Sequence, residues 1–281
     1  MRLAIAVIFS LLFLATPVRS DVAVVTSIEP LALLIKDIGG EDVGVTSLVP
    51  NAGSIHHYSM RMSDRIKVER ADLVVLVGAG LEPFLEKLSG LEPNKVVRVD
   101  RLDHVATLAL AEDDDHDHGH TDVDPHLWLS PHNTGLLALK IAERLGQLIP
   151  AKADLFAERA VAFNTRQSSL LAGVNVSPET HYVAYHNAVA YLLAPLGIEL
   201  RGVLTNVNES RLGMRSLFAI KREVQRADDV CVLVQAQNRR MSEKILGQAR
   251  YAVLDVMADQ GDYGTYLEYL AAMLNAIENC H

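Results

Sequence analysis

From Val22 onward the chain alternates short β-rich runs with amphipathic stretches, and it does so twice, once on each side of a long helical segment. The first block reads VAVVTS (22–27), PLALLIKDIGG closing on paired glycines (30–40), VGVTSLVP (43–50), a polar helical stretch and LVVLVG (73–78). In the second come HYVAY (181–185), a short helical pattern from about 187 to 193, IELRGVL (198–204), a long helical pattern from about 209 to 226, VCVLVQ (230–235), a further helix, YAVLDV (251–256) and a last helix ending near Cys280. Strands separated by helical patterns predict parallel sheets made of βαβ units, because each parallel connection must travel back along the sheet. Between the blocks, residues 131–150 and 151–173 carry apolar positions at three- and four-residue spacing and are split at Pro150. The predicted fold is α/β, with one lobe over 21–149, a linking helix over 150–174 and a second lobe over 175–281. At 281 residues and 49% hydrophobic content there is material for a core in each lobe.

The first twenty residues, MRLAIAVIFSLLFLATPVRS, place one Arg before an apolar run, then Pro17 and the small Ser20. That order is the pattern of a secretory signal peptide over 1–20. The apolar run is shorter than the roughly 20 residues that cross a bilayer. No cysteine stands near the cleavage edge to take a lipid, so a mature chain from about Asp21, free of a membrane anchor, is expected. In a Gram-negative cell this is the periplasm. Export would carry Cys231 and Cys280 into an oxidising compartment, where a disulfide between them is expected. Two buried free thiols are the alternative.

The formal charge of −9 is concentrated rather than spread. Glu112, Asp113, Asp114, Asp115, Asp117, Asp122 and Asp124 lie in one short stretch, and without those seven only −2 remains. No basic stripe with interleaved aromatics is present, which argues against nucleic acid as a partner. The acidic stretch 112–124 also holds His116, His118 and His120 and almost nothing apolar, so it reads as a surface loop. Its alternating imidazoles can collect borderline cations weakly without a preformed cavity. A plain solvated loop is the other reading.

Three further histidine positions fall where ligands bind in such folds. His56, with His57 beside it, follows Pro50, Asn51 and Gly53 in a loop after a strand, and loops leaving the carboxyl ends of parallel strands are the usual binding edge. His126 lies between Pro125 and Pro131, with Leu127, Trp128 and Leu129 as its buried anchor, an arrangement that fixes a side chain before a ligand arrives. His132 reads instead as the start of a helix. His186 ends the β-run that begins near Tyr182, although a histidine there could equally cap the following helix. Asp255 closes a short apolar run and could supply a carboxylate, with Asp259 and Asp262 as weaker candidates. Taken singly each of these residues has a structural reading. Taken together, three imidazoles and one carboxylate match the four-coordinate preference of Zn²⁺, whose bonds to nitrogen are ~2.0–2.1 Å.

SIHHY, DPHLWLSPHN, YHNAVAY and VLDV, in that order, resemble the periplasmic zinc-binding proteins of ATP-binding-cassette importers, within the metal-binding cluster of solute-binding proteins. The resemblance extends over VVTSIEPLALLIKDIGG, the LVP turn and ADLVVLVGAGLEPFLEKL, and so over essentially the whole mature chain. It implies a metal held between two lobes joined by a long rigid helix, with His56, His126, His186 and Asp255 as ligands. It also implies a permease and an ATPase as partners, a monomer, and a receptor rather than an enzyme. Manganese-binding relatives typically carry Glu where this chain has His186, which points to zinc as the cargo. The His- and Asp-rich loop and the late cysteine pair, Cys231 with Cys280, are also features of the zinc branch. Two positions depart from it. Gln235 stands where an acidic residue is frequent, and His57 stands where Asp is common, so His57 competes with His56 for the ion. A manganese receptor and a zinc buffer not coupled to a permease are the alternatives. A zinc hydrolase is disfavoured, since the chain has no HExxH and HDHGH has His120 where the hydrolase HxHxDH pattern has Asp.

Overall fold

The computed structural model describes residues 22–49, 58–78, 80–82, 84, 91–109, 123–205, 214–247 and 249–280. The signal-peptide reading, His56, His57, His116, His118 and His120 fall outside the described residues.

The first half contains β1 (Val22–Thr26), α1 (Glu29–Gly39), β2 (Val43–Ser47), α2 (Met62–Arg70), β3 (Leu73–Leu76) and β4 (Val96–Arg98). Two long helices follow, α3 (Pro131–Leu148) and α4 (Ala153–Gly173), separated by a 3-10 turn at Pro150–Lys152. The second half contains β5 (His181–His186), α5 (Ala190–Leu193), β6 (Leu200–Thr205), α6 (Met214–Arg226), β7 (Val230–Val234), α7 (Arg239–Leu246), β8 (Arg250–Val253) and α8 (Tyr266–Glu278). Both sheets have four strands, all parallel, in the orders β2-β1-β3-β4 and β6-β5-β7-β8. The inner strands LVVL and VCVLV are buried at every position, as parallel strands covered by helices on both faces must be.

The shared strand order fixes where a ligand can sit. In each sheet the chain moves outward on one side of the first strand and then returns to its other side. The crevice beyond the carboxyl ends of β1 and β3, and that beyond β5 and β7, are therefore the switch points at which such sheets bind ligands. His186 is the last residue of β5.

One continuous core runs across both halves, from Ile28, Leu34 and Leu145 through Trp128 and Phe163 to Ala184, Leu233, Tyr269 and Ile277. Smaller clusters around Val74 and Val232 fill the outer faces. Helix α4 packs on α1, α3 and α8. Its close approach to α3 depends on Gly135, where an added Cβ would come within 2.8 Å of the Asn164 side chain. Helix α8 then returns from the second half onto α1, where the Asp37 carboxylate accepts the amides of Tyr266 (2.8 Å) and Leu267 (3.3 Å). These are two of the first-turn N–H groups that a helix cannot satisfy by itself. The expected disulfide is present, joining Cys231 of β7 to Cys280 beyond α8 with a Cα–Cα distance of 5.8 Å. No helix among the described residues is long and apolar enough to cross a membrane.

Candidate metal centre

His126 lies in a short segment whose neighbours leave it little freedom. Leu127, Trp128 and Leu129 form a buried 3-10 turn, and Ser130 then caps α3 by accepting the Asn133 amide, with Pro131 in the first turn. Much of this segment is tied to the second half of the chain. Trp128 Nε1 donates to the Val256 carbonyl (3.0 Å), the Tyr266 hydroxyl donates to the Trp128 carbonyl (2.8 Å), and the Tyr269 hydroxyl donates to Val256 (2.8 Å). The sequence expectation of a braced, buried anchor around His126 is met. His132 opens α3 as expected, with Nε2 2.9 Å from the His104 carbonyl oxygen.

The imidazole of His126 is 3% exposed, and its Nδ1 is 2.7 Å from Asp124 Oδ1. The same oxygen accepts the His126 backbone amide at 2.9 Å. A carboxylate only accepts at neutral pH, so the proton belongs on Nδ1 and the lone pair on Nε2. A carboxylate behind a histidine in this way sets the tautomer and raises the basicity of the opposite nitrogen, which is the arrangement found behind metal-ligating histidines. Sequence reasoning placed Asp124 in the acidic loop and missed this role. The signal available was the two-residue spacing in Asp124-Pro125-His126, which lets the carboxylate fold back on the ring.

His186 arrives from β5, with its Nε2 3.4 Å from Nε2 of His126 and the two rings inclined at 74°. Two nitrogens bound to one tetrahedral zinc ion at ~2.0–2.1 Å stand ~3.3–3.4 Å apart, so this spacing is that of neighbouring corners of a zinc tetrahedron. His186 also lines a small cleft with Ala188, Val189, Leu233, Val234, Gln235, Leu254 and Val256, at the β5–β7 switch point. Gln235 thus does face the site region. Its side-chain oxygen accepts from Gln237 (2.5 Å).

Asp255 sits between two of these cleft residues, but its carboxylate is already engaged. Oδ1 accepts the Asp259 amide (2.9 Å), Oδ2 accepts those of Gln260 (2.7 Å) and Gly261 (3.2 Å), and the Tyr263 hydroxyl bonds to the same group. Four donors fill the acceptor capacity of a carboxylate. Burial pushes Asp255 above the ordinary carboxylate range, with Asp259 adding to the effect, while the backbone bonds oppose it. Burial beside Asp255 raises the Tyr263 hydroxyl to about 12. Among the described residues no three His, Cys, Asp or Glu side chains converge as a metal site. The structure therefore brings together His126 and His186, with Asp124 behind the former, and leaves Asp255 bonded to its own loop.

Two α/β halves, each built on a four-stranded parallel sheet, are the fold of the solute-binding class. The fold matches solved structures of that class: the Pseudomonas aeruginosa solute-binding protein FpvC in complex with Mn²⁺ (TM-score 0.76, 23% identity, 92% of this chain and 98% of that one) and a crystal structure of ZnuA (TM-score 0.76, 23% identity, the same coverage). The family model of the zinc-uptake complex component A, periplasmic (ZnuA), matches residues 24–280, and the chain belongs to that family. Among its relatives, the high-affinity zinc uptake system protein ZnuA of Haemophilus ducreyi is 30% identical over 82% of each chain. That of Yersinia pestis is 26% identical over 98% of this chain and 96% of its own. The family is one of substrate-binding receptors, not enzymes.

Proposed function

We propose that this protein captures Zn²⁺ in the periplasm, after removal of residues 1–20, and delivers it to the permease and ATPase of an importer. The observation that carries the reading is the 3.4 Å approach of His126 Nε2 to His186 Nε2, with Asp124 holding the His126 tautomer. A nitrogen-rich donor set suits zinc better than manganese, which prefers carboxylate oxygen. His56 is the third nitrogen of the proposed set. Asp255 is the fourth ligand, reaching the ion by exchanging one of its four present donors for the metal. The segment 150–174 acts as the spacer between lobes, and the loop histidines His116, His118 and His120 collect ions without forming the high-affinity site.

The test is calorimetric titration of the metal-free protein with Zn²⁺ and Mn²⁺. His126→Ala and His186→Ala each remove one of the two nitrogens and are expected to weaken zinc binding at least a hundredfold. Unchanged zinc affinity in both variants would refute the reading. Asp255→Ala is expected to weaken binding less than either, because a water can take the vacated corner.

A further inference from the structure

The 3.4 Å histidine pair raises the question of what holds imidazoles from two halves of the chain at that separation. Tyr191 on α5 is 4% exposed, and its hydroxyl donates to the Asp124 carbonyl (2.9 Å) while accepting the Leu108 amide (2.9 Å). Leu108 and Asp124 are themselves bonded, the Asp124 amide donating to the Leu108 carbonyl (2.9 Å), and a bridge between Ala109 and Val123 lies just beyond. One phenol from the second half thus holds both strands of a pinched segment from the first.

The contacts close a ring. The Asp124 backbone is fixed by Tyr191, and its side chain fixes His126 through both the backbone amide and Nδ1. His126 Nε2 faces His186 Nε2. His186 and Tyr191 are five residues apart on the same β5–α5 connection, a turn at Asn187–Ala188 followed by the first turn of α5. Displacing either side of this ring changes the nitrogen–nitrogen distance.

We propose that Tyr191 is a positioning residue that sets the His126–His186 separation across the two halves and so favours a tetrahedral ion over an octahedral one. This rests on the metal-site reading above. Tyr191 need not touch the ion. It acts through Asp124, and its hydroxyl, rather than its ring, is the operative group.

Tyr191→Phe removes that hydroxyl and leaves the ring packed. Leu274→Ala, in the buried face of α8, serves as a control for lowered stability alone. Metal-free proteins are titrated with Zn²⁺ and Mn²⁺ in competition with a chelator, and with Co²⁺, whose visible absorption distinguishes tetrahedral from octahedral ligation. The expected result for Tyr191→Phe is a loss of zinc affinity of ~10-fold, the lower end of effects behind a metal ligand, with manganese affinity changed less than about twofold. The tetrahedral Co²⁺ band should weaken, and Leu274→Ala should keep both the band and the Zn/Mn ratio. Replacing Tyr191 with p-aminophenylalanine, which still donates to the Asp124 carbonyl, should restore both. An unchanged Zn/Mn ratio and Co²⁺ band in Tyr191→Phe, or a p-aminophenylalanine variant behaving like the phenylalanine one, would overturn the proposal. If His126→Ala and His186→Ala leave zinc affinity intact, it is the metal site that fails, an outcome separable from failure of Tyr191 alone.

Discussion

Asp124 offers the sharpest separation of electrostatics from geometry at the candidate site. Its Oδ1 accepts two hydrogens from one residue, the His126 amide at 2.9 Å and Nδ1 at 2.7 Å, with both side chains almost wholly buried. In Asp124→Asn the backbone amide still demands an acceptor. The carboxamide must therefore turn its oxygen toward His126, and the Nδ1–H tautomer survives. What is lost is the negative charge that makes Nε2 a better donor to the ion. Asp124→Ala loses the charge and the orienting acceptor together. Residues behind a metal ligand are worth ~10–100-fold in affinity, so asparagine should sit near ~10-fold and alanine near ~100-fold, or ~1.4 and ~2.7 kcal/mol. Competition with a fluorescent zinc chelator at pH 7.5 measures both, and urea denaturation of the metal-free proteins separates binding from folding. Equal affinities for wild type and both variants would refute the reasoning. So would an asparagine variant weaker than alanine, because the tautomer would then have been lost through a flipped amide.

Two other perturbations test how the halves are joined. Burial raises the Asp37 carboxyl to about 6, with Glu268 adding to the rise and Arg166 and the two α8 amides opposing it. The folded pKa lies above the unfolded value near ~3.9, so this group's contribution is full at low pH and is lost as pH rises through about 6. Relative to Asp37→Asn, wild type should gain ~2 kcal/mol between pH 7.5 and pH 4.5, read by urea denaturation followed through the single Trp128, and a pH-independent difference would refute it. Reduction of Cys231–Cys280, which ties β7 to the chain beyond α8, should cost ~2–4 kcal/mol of stability, measured against a Cys231→Ser/Cys280→Ser double variant.

The sheets were legible because parallel strands covered on both faces leave unbroken apolar runs, as in LVVL and VCVLV. His126 was legible for a related reason, since the flanking prolines and the LWL turn are local features. Contacts that depend on distant parts of the chain were not. Nothing near Asp37 announces that it will cap a helix beginning 229 residues later. Nor does anything near Tyr191 indicate a bond to residues 108 and 124. The helical pattern after His186 was read from about residue 187, whereas α5 begins at Ala190. Asn187 and Ala188 form a turn, so β5 ends on His186 at the carboxyl end of the sheet. Asp124 was hidden by composition, one carboxylate among seven, until its position two residues before a buried imidazole gave it a partner.

The tethering of His126 bears on how such a receptor can capture an ion. Although His126 precedes α3 in sequence, its segment is bonded to the second half through Trp128 to Val256, Tyr266 to Trp128 and Tyr191 to Asp124. His126 is therefore held beside His186 by bonds from the second half as well as by the core that both halves share. On the proposed ligand set the remaining imidazole, at position 56, lies on the connection that leaves β2 of the first sheet. On that set, two imidazoles already held 3.4 Å apart by buried contacts would give an incoming ion a partial site at little ordering cost, which is why the bonds behind His126 matter as much as the ligands themselves.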